Sequence, residues 1–159
     1  MEEINSQPKK QISLRVKSTL ILFVIALIGL QFYKLYWPKT TLLLAGQTLH
    51  VLVADNAYRH HKGLGGRDTL APYDGMLFVF DMPGKHGFVM RDTRFSLDIV
   101  WFVQGKVVDI ASKIPIETDV PDEKLRRYYP RKPSTLVLEL PAGWSEKHDL
   151  KIGDTLQEL

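Results

Sequence analysis

Residues 86–102, HGFVMRDTRFSLDIVWF, set Arg91, Asp92, Arg94 and Asp98 inside a stretch that otherwise reads as sheet core. Asp98 is the most demanding of the four. It lies between Leu97 and Ile99, at the head of an apolar run that continues to Val103. A carboxylate in a buried strand is costly unless it is paired or hydrogen-bonded. Arg67, Arg91 and Arg94 are the candidate partners, with backbone N–H groups as the alternative. As chemistry, Asp98 would position a ligand or move a proton, with Asp92 or His86 as the second group of a hydrolase site. As scaffold, it would be a buried ion pair, and structural pairs perturb carboxylates just as active sites do.

Two further clusters could carry function. Met82 and His86 flank Pro83-Gly84-Lys85, with Met76 and Met90 nearby in sequence. Thioether plus imidazole suits Cu(I), although methionine more often fills core gaps. His60-His61 is weaker as a ligand pair, because neighbouring helical residues point about 100° apart. The loop PDEKLRRYYPRKP interleaves Lys124, Arg126, Arg127, Arg131 and Lys132 with Tyr128 and Tyr129. Outside the cytoplasm such a loop suits an anionic polymer, a lipid headgroup or a protein partner; the alternative is a solvated, mobile loop.

Several chemistries have no residues to support them. The chain has no cysteine, which excludes disulfides, thiolate catalysis and cysteine-held metals. No G-x-S-x-G surrounds any serine, and Gly63, Gly65 and Gly66 precede no Lys-Ser/Thr that would cradle phosphate. A net charge of +3 gives no reason to invoke nucleic acid. No cofactor is expected.

The elements that must position these residues are mostly strands. TLLLAGQTLHVLVAD reads as strands 41–44 and 48–54. Asp55 or Asn56 caps a short helix, Ala57 to Lys62, that stops at Gly63. GMLFVFDM is a strand, and the Pro83-Gly84-Lys85 turn predicts that HGFVMRDT returns beside it, as a hairpin over residues 75–92. LDIVWFVQGKVVDIAS predicts a second hairpin turning at Gln104-Gly105. A loop with several prolines spans 114–133, followed by the strand STLVLEL, a short turn or helix, and a last strand near 154–159. The fold class expected is mainly β (α+β): a small antiparallel barrel-like or sandwich-like domain with one or two short helices.

The N-terminus adds a membrane segment to this expectation. No charge occurs from Ser18 to Tyr33, and Phe32, Tyr33, Tyr36 and Trp37 then form an aromatic belt. Extended to Trp37, the segment rises roughly 30 Å, enough for the hydrocarbon core if Lys34 reaches outward. Residues 31–44 lack the small-residue pair of a cleavage site, so an uncleaved anchor is expected. Lys9, Lys10, Arg15 and Lys17 precede it against Lys34 and Lys39 after it, which favours an N-in orientation. The expected organisation is a polar, disordered cytoplasmic tail at 1–17, an anchor at 18–37, linker and first strand at 38–47, and a β-rich domain at 48–159. That domain would lie in the periplasm, on the outer face of the inner membrane.

The ordered series GLGGRDTL, DGMLFVFDM, HGFVMRDTRFSLDIV and TLVLELPAGW resembles the bacterial and archaeal domain-of-unknown-function family number 192. That family's pattern runs G-L-M-x-R, G-M-L-F-x-F, F-W-M-K-N-T, P-L-D-I and a late L-E-x-x-x-G. The resemblance covers about residues 48–159 and implies a small β-rich domain, often exported or tethered, with no implied activity. Arg67 matches the Arg of the first segment. Gly65 stands where the pattern has Met, Val89 where it has Trp, Asp92 for Asn and Ser96 for Pro. The function expected is a non-enzymatic, membrane-anchored binding or accessory domain for an envelope component. The alternatives are an envelope hydrolase centred on Asp98 and a copper-handling module of Met82, His86 and Met90.

Overall fold

The computed structural model describes residues 14–159, with backbone alone at 14, 32, 34 and 35. Two units separate by their internal contacts, one ending at Tyr36 and the other spanning Trp37–Leu159. In the first, α1 (Leu14–Leu35) follows the apolar run and begins four residues before the expected anchor at 18–37. No proline interrupts it, and Pro38 lies just beyond its end. Its described apolar side chains are exposed, Leu22 at 68%. Among the described residues no helix is long and apolar enough to cross a membrane, so the expected span finds no support here. Residues 1–13 of the expected polar tail lie outside the described residues.

The second unit is a curled seven-stranded sheet with few helices. Its strands are β1 (Lys39–Leu44), β2 (Gln47–Ala54), β3 (Gly75–Gly84), β4 (Leu97–Val103), β5 (Lys106–Ile114), β6 (Ser134–Pro141) and β7 (Gln157–Glu158). Their order in space is β5-β4-β6-β3-β2-β1-β7. Two hairpins form: β4–β5, where the sequence predicts one, and β1–β2, from the two strands expected at 41–44 and 48–54. Each turns on two left-handed residues, Ala45-Gly46 and Gln104-Gly105, the twist that suits a two-residue hairpin. Register shifts at 97–99 and 101–102 bend β4 against β5 and help the sheet curl.

The sheet is not wholly antiparallel as expected. β2 and β3 run parallel, Val51 opposite Gly75 and Ala54 opposite Phe78, which requires a crossover between them. Helix α2 (Ala57–Lys62) supplies it, at the predicted place. Asn56 caps it, its Oδ1 accepting from the Arg59 N–H at 3.0 Å, and Gly63 at φ +49° stops it.

The predicted hairpin over 75–92 does not form. β3 takes β2 and β6 as neighbours, and residues 86–93 instead cross one face of the sheet as a loop. Phe88 and Met90 are buried there, which produces the strand-like alternation without strand pairing. Three ties hold the segment: Trp101 Nε1 donates to the His86 carbonyl at 3.2 Å, Phe88 and Tyr128 exchange backbone hydrogen bonds at 2.9 and 2.8 Å, and Gly66 N–H donates to Asp92 O at 2.9 Å.

Both faces of the sheet are covered, so strand side chains alternate between two cores. One gathers Leu52, Met76, Phe78, Phe88, Met90, Ile99, Trp101 and Val137. The other gathers Leu42, Leu44, Val51, Val100, Phe102, Leu138 and Leu140. Each large side chain that is wholly removed from water contributes on the order of 2 kcal/mol. A short helix, α3 (Trp144–Lys147), follows β6.

Candidate functional site

Asp98, the first candidate, is fully buried, but none of the three expected arginines reaches it. Its Oδ1 accepts from the Lys113 and Gly143 N–H groups at 2.8 and 2.9 Å, and its Oδ2 from the Ser145 N–H at 2.8 Å. The carboxylate therefore fastens β5 and the start of α3 to β4, the backbone-bonded alternative. The arginines have other duties. Arg91 Nε donates to Asp122 at 2.6 Å and Arg94 pairs with Asp68, while the Arg67 guanidinium lies over the Trp37 ring, 5.4 Å from its centre. Asp92 stands at φ +50° and borders, with Arg94, an open pocket of about 590 Å³ whose lining does not include Asp98.

The Met/His cluster is not assembled. Met82 is 74% exposed, whereas Met76 and Met90 are buried in the core. His86 stacks flat on Phe80 at 3.6 Å, and its Nε2 lies 3.1 Å from the Met82 carbonyl. Among the described residues no group of three or more His, Asp or Glu is placed to hold a metal. The basic loop is tied down rather than loose. Arg131 donates to Asp109 through Nε at 3.0 Å, NH2 at 2.7 Å and its backbone N–H at 2.6 Å. Arg126 lies over the Tyr128 ring at 5.0 Å. Tyr129 is exposed, its ring edge against Gly87.

A different residue carries the unusual chemistry. Glu139, on β6, sits between Met76 of β3 and Ile99 of β4 on the first core face. It is 5% exposed, and its Oε2 is buried with no hydrogen-bond partner. Burial pushes its carboxyl up to about 8, so the side chain is neutral at pH 7 and able to donate as well as accept. An orphaned buried polar atom costs about 1–3 kcal/mol, so its retention calls for an explanation.

The explanation lies directly beside it. Glu139 lines a cavity of about 260 Å³ with Phe78, Phe80 and Phe88, the imidazoles of His60, His61 and His86, and Lys62, Arg91 and Arg127. α2 and the crossing segment 86–93 wall the cavity on two sides. His60 fixes α2 to the sheet, its Nε2 lying 3.1 Å from Ala54 O and 3.0 Å from Val79 O, which places the proton on that nitrogen. Phe78 meets Phe88 edge-on at 4.8 Å. Two positions at which the chain departs from the resemblance pattern, Gly65 and Val89, also line it.

Glu139 was legible in sequence only as the Glu of L-E-x-x-x-G. Its signal is that Val137 and Glu139 share one strand face while Leu136, Leu138 and Leu140 share the other. A lone carboxylate in a strand covered on both faces is the anomaly.

The model of the family DUF192, described as "Uncharacterized ACR", matches residues 40–158. The chain belongs to this family. Two solved structures resemble this DUF192 chain. One is of a candidate transcription regulator from Sinorhizobium meliloti 1021, 26% identical with a TM-score of 0.67, over 77% of this chain and 95% of that one. The other is of a protein of unknown function from Novosphingobium aromaticivorans DSM 12444, 25% identical with a TM-score of 0.62, over 76% and 84%. No curated protein matches this DUF192 chain.

Proposed function

We propose that this chain is a small-ligand binding domain whose site is the cavity above Glu139, acting as an accessory module rather than as an enzyme. One observation carries the reading: a neutral carboxyl with one unpartnered oxygen, Oε2, at the wall of a cavity ringed by phenylalanines and imidazoles. A concave site that brings aromatic walls together with convergent polar groups and a perturbed titratable residue is the usual form of a ligand site. Hydrolysis needs a second activated group within hydrogen-bond reach of the first. Oε2 of Glu139 has no such neighbour, and both Asp98 oxygens are taken by backbone N–H groups.

We further propose, as a separate element, that the N-terminal helix tethers this domain to a membrane with the domain outside the cytoplasm, near an envelope protein or anionic polymer. The uncharged stretch from Ser18 to Tyr33, the excess of basic residues before it, and the exposed apolar side chains of α1 support this. A regulator role in the sense of the Sinorhizobium neighbour has less behind it, since Arg91, Arg94 and Arg131 are each paired with an acid instead of forming a free basic face.

A fragment screen by amide NMR on the full-length chain tests the binding reading. Shifts concentrated at Gly63, Gly65, Gly87 and Phe88 are the expected result. Shifts confined to other surfaces, or none with any fragment, would remove the cavity as the site.

A further inference from the structure

The lining of the cavity restricts what can enter it. Lys62 and Arg127 are exposed at its edge, and neither makes an ion pair among the described residues. Arg91 is there too, its charge offset by Asp122. Glu139 is the sole acid among the lining residues, and burial keeps it uncharged. The potential at the entrance is therefore positive, and a cleft lined by one sign of charge concentrates the opposite sign. Inside, Phe78 and Phe88 meet edge-on and Phe80 stacks on His86, an aromatic wall against which a flat apolar body can pack. At about 260 Å³ the cavity is smaller than the roughly 300–1,000 Å³ of sites for drug-sized molecules, which suits a single ring.

We propose that the cavity takes a small planar aromatic carboxylate bearing a hydroxyl or carbonyl at the end remote from its carboxylate. The ring lies among the three phenylalanines, the carboxylate meets Lys62 and Arg127, and the remote oxygen exchanges a hydrogen bond with Glu139. An organic cation would suit aromatic walls and an ionised acid, but the cationic entrance opposes it. This inference rests on the cavity being a binding site and narrows that reading to one ligand class.

Calorimetry on the full-length chain with 4-hydroxybenzoate, benzoate, 4-hydroxybenzamide and tyramine tests it. The expected order puts 4-hydroxybenzoate tightest. Glu139→Leu, which replaces the carboxyl by an apolar side chain between Met76 and Ile99, weakens 4-hydroxybenzoate about tenfold and benzoate far less. Arg127→Gln, a surface change that spares the fold, weakens both carboxylates and leaves 4-hydroxybenzamide unchanged. Tighter binding of tyramine, or indifference of 4-hydroxybenzoate to Arg127→Gln, overturns the carboxylate assignment while the cavity stands as a site. Failure of all four probes at millimolar concentration overturns the ligand class, and the fragment screen then decides separately whether the cavity binds at all.

Discussion

Asp98 of β4 and Glu139 of β6 lie one register step apart on paired strands, and their side chains leave the sheet on opposite faces. Ile99 stands opposite Glu139, and Asp98 stands opposite Leu140. Asp98 collects three backbone N–H donors, while Glu139 leaves Oε2 unpartnered. The same residue chemistry thus serves as a clamp on one face and as a neutral acid beside a cavity on the other.

Glu139 makes stability fall as pH rises. The unfolded carboxyl ionises near 4.5, and the folded one near 8. Between these values the folded state holds a proton that the unfolded state has lost, so stability declines through that window and levels off above it. The full decline is on the order of 5 kcal/mol. Urea midpoints at pH 5, 7 and 9 should drop for the native chain and stay nearly flat for Glu139→Gln. Equal slopes in the two proteins would mean that Glu139 is solvated.

Asp98→Asn should destabilise the domain by about 2–4 kcal/mol, because an amide cannot accept from all three N–H groups and presents donors to them. Chemical denaturation measures the loss. A variant with native stability and lost ligand response would instead return Asp98 to the functional site.

Asp109 governs the acid limb. Burial alone would raise its carboxyl, but the Arg131 side chain and backbone and the Ile110 N–H outweigh burial and hold it below its usual 3.8. Its stabilisation is present above that value and fades as pH falls through the lowered folded value. Asp109→Asn should lower the thermal midpoint at pH 7 and shrink the difference from wild type below pH 3. A difference independent of pH would exclude the charge as its origin.

The tether is tested by alkaline carbonate extraction of membranes holding the full-length chain. Retention in the pellet is expected, together with a C-terminal reporter active only outside the cytoplasm. Release into the soluble fraction, or a reporter active in the cytosol, contradicts the proposed placement.

What the residues revealed beforehand was local. The β4–β5 hairpin could be read because its turn, Gln104-Gly105, and its partner strands are contiguous. α2 could be read because Asn56 and Gly63 mark both ends. The hairpin expected over 75–92 fails because β3 takes its partners from the distant β2 and β6, which no nearby turn announces. Phe88 and Met90 then mimic a strand simply by being buried. The site was missed for a related reason. Glu139 becomes conspicuous only when both faces of β6 are known to be covered, and that is a property of the assembled sheet.

The position of β6 has a consequence for biosynthesis. Within the strand order it lies between the pair β4–β5 and the group β3-β2-β1-β7, yet Ser134 follows β3, β4 and β5 in the chain. Until then the open edges of β3 and β4 stay bare, the arrangement most prone to adhere to other chains. A chain in which β6 has not yet docked therefore exposes the two most adhesive edges that this sheet contains.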